Sequence, residues 1–300
     1  MRADKFFAAK FGSRTKAAEE LNAGRILRGG KALSPKDEVS EADEFAFIVP
    51  CERFVSGGGY KLSRALKEFS YDCTGKIFAD IGASTGGFTD CLLQNGAKKV
   101  FAVDVGESLL HPSLVSDPRV VRMENINARY LSANDFPCTL HGVTADVSFI
   151  SLKHIFPVIS AILGDNKGAE SVADEGGRPS DEERRGDNHK NAKDAFVLIK
   201  PQFECDNKGI GKSGVVKKTE HKKIVEKVLT YALEAGLYPV EITNAPIKKG
   251  KNLEYILHLQ KYPYEANGMA ISANTARAAT GRILKETERI LKSVKEQPTA

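Results

Sequence analysis

The sequence predicts an α/β protein in which a small α+β domain precedes a doubly wound, largely parallel sheet. From about residue 76 to residue 259, short apolar runs alternate with helical patterns, an order typical of parallel sheets. A glycine-rich turn joins the first of these runs to a helix, as in nucleotide-binding sheets. The first 36 residues carry nine lysines or arginines against three acids, which indicates a separate module.

Composition excludes several classes of protein. The chain has 300 residues, of which 41% are hydrophobic and 28% charged, so it is able to bury a core. Its formal charge of +5 permits an anionic partner. No apolar run approaches the roughly 18 residues of a membrane helix, the first residues are charged where a signal peptide is apolar, and the five cysteines form no CxxC pair. We therefore expect a cytoplasmic protein without membrane contact.

Two helices and three short strands are predicted in the first module. Three phenylalanines within residues 6–11 have helical spacing, and Ser13 is a suitable N-cap for a second helix that runs to Leu21. Extended segments follow at 25–27, 31–33 and 45–49.

Basic side chains on this module would form a surface that binds phosphates without reading bases. The candidates are Arg2, Lys5, Arg14, Lys16, Arg25, Arg28 and Lys31. On charge alone, the solvated face of an ordinary small domain is an open alternative.

The order of signals in this module resembles the alpha-L RNA-binding module of a ribosomal protein, pseudouridine synthases and tyrosyl-tRNA synthetases. That pattern is Ser-Arg, a short amphipathic helix, glycine, a strand, a glycine turn with lysine, and a later acid. The matching residues here are Arg14, Gly24, Arg28, Lys31 and Asp43. The resemblance implies that this module binds RNA.

A nucleoside-cofactor site is predicted at the turn after the first long strand. Residues 76–81 indicate a buried strand, and a G-x-x-x-G-G loop and a helix follow. The next strand ends at Asp104, 22 residues after Gly82, which suits an acid that binds both hydroxyls of a ribose. The loop residues expected at the cofactor are Gly82, Ala83, Ser84, Gly86, Gly87 and Phe88.

The loop favours S-adenosylmethionine over a dinucleotide. A dinucleotide site uses G-x-G-x-x-G, which lets the backbone approach a pyrophosphate. Here Asp80 lies two residues before the first glycine, where it would repel a pyrophosphate but suit the ammonium group of S-adenosylmethionine. A tight turn without a ligand is the alternative.

The remaining pattern completes the doubly wound sheet. Strands are predicted at 120–123, 141–146, 195–200, 238–243 and 254–259, and helices at 152–163, 219–236 and 274–295. Asp146 and Lys200 each end a strand, at the edge where such sheets bind ligands. Asn127 is expected either to line an adenine pocket or to lie in a strand-end turn. Residues 164–194 contain 15 charged residues among 31 and are predicted to be a disordered insertion.

A lysine at this edge suits methyl transfer to a hydroxyl. A ribose hydroxyl is barely ionised near neutral pH, so negative charge must be stabilised on its oxygen as it attacks. A lysine can stabilise that charge or accept the proton, and neighbouring carboxylates would hold the lysine in place. The pattern leaves both roles open.

Seven motifs resemble the TlyA family, also called hemolysin A, whose members are similar to FtsJ-type 2'-O-methyltransferases. In chain order they are FVSGGGYKL, FADIGASTGGFTDCLLQNGAKKVFAVDVG, NINARYL, ADVSFISL, LIKPQFE, GKSGVV and KNLEYIL. The resemblance covers roughly residues 2–260. It implies a Rossmann-like methyltransferase that modifies the ribose of cytidine in ribosomal RNA or ribosomal subunits, with S-adenosylmethionine as cofactor. We expect no metal site, because scattered acids such as those of residues 164–194 are more often a solvated segment.

The resemblance also implies a catalytic set of Lys61, Asp146, Lys200 and Glu254; Lys61 and Glu254 rest on it alone. The expected organisation is an RNA-binding domain over 1–49, a linker over 50–60, the methyltransferase domain over 61–264, and a C-terminal helix and tail over 265–300. A membrane-damaging hemolysin and a non-catalytic ribosome-assembly factor are the alternative functions.

Overall fold

The computed structural model describes most of the chain as two compact units, Met1–Arg53 and Phe54–Ala300. The described residues are 1–11, 13–47, 53–164, 192–205, 209–211, 214–247, 250–261 and 273–295.

The first unit contains three helices and one small antiparallel sheet. Its helices are α1 (Ala3–Phe6), α2 (Ala8–Phe11) and α3 (Arg14–Asn22), and its strands are β1 (Ile26–Arg28), β2 (Lys31–Ala32) and β3 (Phe45–Phe47), in the order β2-β1-β3. The single helix expected over 6–11 is instead broken at Phe7, whose ring packs edge-on against Phe45 at a centroid distance of 4.9 Å. Residues 48 and 49 of the expected third strand lie outside the described residues.

The second unit is built on a seven-stranded sheet, which confirms the predicted α/β class. Its strands are β4 (Ile77–Ile81), β5 (Lys99–Val103), β6 (Val120–Met123), β7 (Gly142–Ala145), β8 (Lys193–Ile199), β9 (Tyr238–Asn244) and β10 (Tyr255–Lys261). The order is β6-β5-β4-β7-β8-β10-β9. The first five strands in this order are parallel, and β10 runs antiparallel to both of its neighbours.

Helices cover both faces of the sheet, so its central strands are buried on both sides. The helices are α4 (Gly57–Glu68), α5 (Gly87–Gln94), α6 (Pro112–Val115), α7 (Phe156–Ile162), α8 (Lys218–Glu234) and α9 (Ala273–Lys295). One hydrophobic cluster joins the sheet to α7, α8 and α9, and a second joins the other face to α4 and α5. All five residues of β4 are buried, as is typical of a central parallel strand.

Helix α4 corrects one expectation of the sequence analysis. The prediction of a linker over residues 50–60 is wrong for residues 57–60, because these form the first turn of α4. Three consecutive glycines disfavour a helix, but the helix buries Leu62, Ala65 and Leu66 on one side. Gly59 is needed there because an added Cβ atom would lie 2.4 Å from the ring of Phe54.

The prediction of a disordered insertion over residues 164–194 is wrong at the C-terminal end of that segment. Lys193 and Asp194 begin β8, and the buried carboxylate of Asp194 accepts hydrogen bonds from Tyr71, at 2.7 Å, and Gln260, at 3.1 Å, and bonds His258 at 2.9 Å. These contacts fix the start of the strand. Residues 165–191 of that segment lie outside the described residues.

The C-terminal helix packs on the second unit. Helix α9 contacts β9 and α8, and Ile283 and Ile290 are buried in that contact. Residues 265–272 and 296–300 of the expected C-terminal segment lie outside the described residues.

Gly142→Ala is expected to lower the free energy of unfolding by about 1–3 kcal/mol, because it overpacks the sheet. An added Cβ atom would lie 2.6 Å from the ring of Phe78, which is completely buried. Urea unfolding followed by circular dichroism measures the change.

Gly281→Ala is the matched control. Gly281 lies inside α9 with no neighbour within 4 Å of an added Cβ atom, so this substitution should raise the free energy of unfolding by about 0.5–1 kcal/mol. Equal stability of Gly142→Ala and the wild type would contradict the packing at Phe78.

Candidate active site

Four charged side chains meet at the edge where the parallel strands end. Asp146 follows β7 and Lys200 follows β8. Because β10 is antiparallel and Tyr255 pairs with Ile199, Glu254 enters the same edge from the start of its strand. Lys61 reaches it from the second turn of α4.

Asp146 lies between the two lysines and contacts each with a different oxygen. Its Oδ1 atom is 2.6 Å from Lys200 Nζ, and its Oδ2 atom is 3.6 Å from Lys61 Nζ. Glu254 Oε2 is 2.8 Å from Lys61 Nζ. The structure therefore brings together the whole catalytic set that the resemblance implies.

The four side chains are mostly shielded from water, with exposed fractions of 11–20%. Two ammonium groups and two carboxylates balance in formal charge, so the cluster is stable without an external counterion. The partial burial reduces solvent screening between them. A hydroxyl oxygen placed beside either lysine could accept a hydrogen bond from its ammonium group, which favours negative charge on that oxygen.

The glycine loop lies directly against this cluster. Gly82 has φ of +78°, and an added Cβ atom there would lie 2.8 Å from the carbonyl oxygen of Asp146. At Gly87, the first residue of α5, an added Cβ atom would lie 2.2 Å from Ser56 Oγ. Glycine at these positions lets the loop approach both β7 and the start of α4.

A cleft of about 190 Å³ opens between the loop and the charged cluster. Seven of the expected site residues line it: Gly82, Ala83, Ser84, Gly87, Phe88, Asp146 and Lys200. Gly86 does not line the cleft, but its φ of +91° allows the turn that precedes α5. The cleft is flanked by backbone N–H groups at the start of α5, which suits the charged end of an amino-acid-bearing nucleoside.

Four further lining residues were missed by the sequence analysis: Ser56, Gly58, Thr85 and Ser148. Ser56 and Gly58 come from the start of α4, where the N-cap serine was the available signal. Thr85 lies within the expected loop. Ser148 follows Asp146 by two residues, and no sequence signal distinguishes it from other serines.

Asp104 is joined directly to the loop. Its Oδ2 atom accepts a hydrogen bond from the Ser84 N–H group at 2.8 Å, and its Oδ1 atom accepts one from the Gly106 N–H group at 2.9 Å. Each oxygen keeps a lone pair for a ligand hydroxyl. Asp104 does not itself line the cleft but bonds Ser84, which does, so the expected ribose contact stays a prediction.

The expected contact between Asp80 and a cofactor ammonium group does not fit the structure. Asp80 is completely buried, within β4, and does not line the cleft. Its two oxygens accept hydrogen bonds from Thr89 at 2.7 Å and Thr144 at 2.8 Å. Burial raises the pKa of Asp80 to about 6, against the effect of these hydrogen bonds. The residue ties α5 to β7 beneath the loop.

Asn127 lies in a strand-end turn rather than in the cleft. It is exposed, it does not line the cleft, and its Oδ1 atom accepts a hydrogen bond from the Arg129 N–H group at 3.1 Å. Of the two interpretations of this segment, the structure favours the turn.

Ion pairs occupy four of the seven basic residues expected at RNA. Arg2 and Arg14 both contact Asp4 at 3.0 Å, Arg25 contacts Glu20 at 2.6 Å, and Arg28 contacts Asp43 at 3.1 Å. Hydrogen bonds from Arg2 lower the pKa of Asp4. Lys5 and Lys31 are exposed, and the side chain of Lys16 lies outside the described residues.

Among the described residues, no cluster of three or more histidine, cysteine, aspartate or glutamate side chains is arranged to bind a metal. In the same part of the chain, no helix is both long enough and apolar enough to traverse a bilayer.

Comparison with known proteins assigns the chain to a family. A curated Mycobacterium tuberculosis relative named 16S/23S rRNA (cytidine-2'-O)-methyltransferase TlyA is 34% identical over 278 residues, which cover 91% of this chain and 92% of the relative. A Brachyspira hyodysenteriae relative named Hemolysin A is 35% identical over 250 residues, covering 82% and 93%.

The fold is shared with a solved structure from Streptococcus thermophilus, a protein provisionally named a hemolysin. It has a TM-score of 0.64 and 31% identity, over 99% of this chain and 98% of that one. The family model described as FtsJ-like methyltransferase matches residues 54–262, from the first residue of the second unit. The chain therefore belongs to the FtsJ-like methyltransferase family, enzymes that use S-adenosylmethionine as methyl donor.

Proposed function

We propose that this enzyme methylates the ribose 2'-hydroxyl of cytidine in ribosomal RNA. The observation that carries the proposal is the placement of Lys61 and Lys200 on either side of Asp146, next to the glycine loop. The Mycobacterium tuberculosis relative, whose name states that reaction, supports the choice of substrate.

The residues of the cleft fit S-adenosylmethionine. The loop at Gly82 and Gly87 has no room for side chains and leaves backbone groups facing the cleft, while Asp104 is placed for a ribose. When bound, this cofactor supplies an electrophilic methyl group on a sulfonium. The loop and Asp104 would hold it, and the buried Asp80 would keep α5 and β7 in register beneath it.

The lysines act on the acceptor oxygen. When S-adenosylmethionine is bound, the acceptor oxygen would gain its methyl group, the cofactor would leave as a neutral thioether, and the hydroxyl proton would pass to a carboxylate of the cluster, Asp146 or Glu254. The ammonium groups of Lys61 and Lys200 stabilise the negative charge that develops on the oxygen as it loses its proton. Asp146 and Glu254 hold both groups in place before the reaction, so little reorganisation is needed.

The proposal is tested by incubating purified enzyme with labelled S-adenosylmethionine and ribosomal RNA or subunits from cells that lack the gene. We expect labelled 2'-O-methylcytidine after nuclease digestion. Label on a base would contradict the proposal. The absence of label from every RNA and subunit would also contradict it and would favour the non-catalytic ribosome-assembly factor. Leakage of liposomes by the purified protein would support the membrane-damaging alternative.

Lys61→Met and Lys200→Met are each expected to lower kcat by at least about 100-fold, since each removes a charge at the acceptor oxygen. The affinity for S-adenosylmethionine should change by less than about threefold, because the loop and Asp104 are untouched. Single-turnover methyl transfer and calorimetry measure the two quantities.

Lys67→Met is the matched control for the lysine variants. Lys67 lies on the same helix as Lys61 but is exposed and is not part of the charged cluster. The activity of the Lys67→Met enzyme should therefore equal that of the wild type. Wild-type rates in Lys61→Met and Lys200→Met would refute the assigned roles.

Asp104→Ala is expected to weaken binding of S-adenosylmethionine by about 10- to 100-fold, because the substitution removes charged hydrogen-bond acceptors at the ribose and at Ser84. Glu107→Ala, at an exposed acid three residues further on, should bind as the wild type does. Calorimetry measures both dissociation constants, and equal values for the two variants would remove Asp104 from the site.

The double variant Lys5→Gln, Lys31→Gln is expected to weaken RNA binding. The slope of log affinity against log salt should fall by about 0.7–0.9 for each phosphate that these lysines no longer neutralise. Binding is measured at several salt concentrations, with the melting temperature as a check on folding. An unchanged slope would mean that these exposed lysines do not contact RNA.

A further inference from the structure

Ser148 is a cleft residue without a role in the catalytic set. Its Oγ atom accepts a hydrogen bond from Lys200 Nζ at 2.7 Å, and it lines the cleft. Lys200 thus makes one described hydrogen bond, to Ser148 Oγ, and one ion pair, with Asp146 Oδ1 at 2.6 Å. An ammonium group has three N–H bonds, so Lys200 keeps donor capacity for an oxygen in the cleft.

The two lysines are held differently. Lys61 has a carboxylate on each side, because both Glu254 and Asp146 contact its ammonium group. Lys200 has one carboxylate and one neutral hydroxyl. Asp146 alone would leave the Lys200 ammonium free to turn about a single contact, whereas a second acceptor fixes the direction of the remaining N–H bond.

The loop that carries Ser148 is itself anchored. Glu204, which is 2% exposed, accepts hydrogen bonds from Ser151 Oγ at 2.7 Å and from the Leu152 N–H group at 2.8 Å. Phe149, next to Ser148, has φ of +62°, a conformation that costs energy in a residue other than glycine. The contacts of Glu204 with Ser151 and Leu152 therefore limit the positions that the loop can adopt.

We propose that Ser148 is a positioning residue for methyl transfer, which aims the Lys200 ammonium group at the acceptor hydroxyl. The inference rests on the proposed function in one respect, the role of Lys200 at the acceptor. Ser148 acts through Lys200 and does not hold the cofactor. Glu204 keeps Ser148 within reach by fixing the far end of the loop.

The contact is tested without activity by NMR of lysine ammonium groups labelled with ¹⁵N. A well-held ammonium group exchanges its protons slowly enough to be observed, and the Lys200 signal is assigned by its loss in Lys200→Met. We expect the signal in the wild type, its loss or strong broadening in Ser148→Ala, and its recovery in Ser148→Thr, which keeps the hydroxyl. An unchanged signal in Ser148→Ala overturns the proposal.

The catalytic consequence is tested by separating kcat from cofactor binding. Ser148→Ala should lower kcat by about 10- to 100-fold, as expected for a misplaced catalytic group, with the S-adenosylmethionine dissociation constant and the urea midpoint unchanged. Ser148→Thr should recover most of the rate. Ser116→Ala, which removes an exposed hydroxyl bonded to the Pro112 carbonyl, is the matched control and should equal the wild type.

Failure of this inference is distinguishable from failure of the proposed function. A wild-type rate in Ser148→Ala, or a loss of cofactor affinity equal to the loss of rate, overturns the positioning role while methyl transfer stands. A wild-type rate in Lys200→Met overturns the role of Lys200 and the positioning role with it, while labelled 2'-O-methylcytidine in the RNA still decides the reaction.

Discussion

The carboxylate of Asp146 is the contact on which the candidate active site depends. It is the one group that contacts both lysines among the described residues, and its backbone carbonyl lies where a side chain at Gly82 would be. Its position is therefore fixed from three sides: by β7, by the glycine loop and by the paired lysines. A shift of β7 would displace the cofactor loop and the lysines together, so binding and chemistry share one structural support.

This arrangement is a product of sheet topology. The carboxyl ends of parallel β4, β5, β7 and β8 place the loop, Asp104, Asp146 and Lys200 on one edge. The reversed strand β10 adds Glu254 from its start rather than its end. Lys61 comes from a helix that precedes the sheet in the chain. Four stretches distant in sequence thus supply a cluster whose charges balance.

Much of this was predictable from the sequence, because the signals concerned are local. Apolar runs and glycines marked the strands and the loop, and Asp146 and Lys200 were identified by their positions at strand ends. Glu254 and Lys61 could not be identified from position. Glu254 directly precedes an antiparallel strand, and Lys61 lies in a helix whose first three residues are glycines, which are typical of a turn. Only the resemblance to a known family identified these two residues as candidates.

Asp80 was assigned to the cofactor, Asn127 was left open between two interpretations and Ser148 was not identified, and these three residues show what residue spacing cannot predict. Asp80 precedes the loop by two residues, but it is still inside a strand that is buried on both faces, so its side chain lies among Thr89 and Thr144 and not in the cleft. Asn127 uses its side chain to cap its own turn. Ser148 is recognisable only once the position of Lys200 in space is known. Side-chain direction depends on tertiary contacts, which residue spacing alone does not encode.

The reversal of β10 has a consequence for how the protein is made. Lys61 is translated before every strand of the large sheet, but its partner Glu254 directly precedes β10, the strand that inserts between β8 and β9 after both of these have been translated. A nascent chain therefore lacks a complete charged cluster until Glu254, 193 residues after Lys61, has been translated. Shortened products that end before Glu254 would carry the glycine loop without the complete charged cluster.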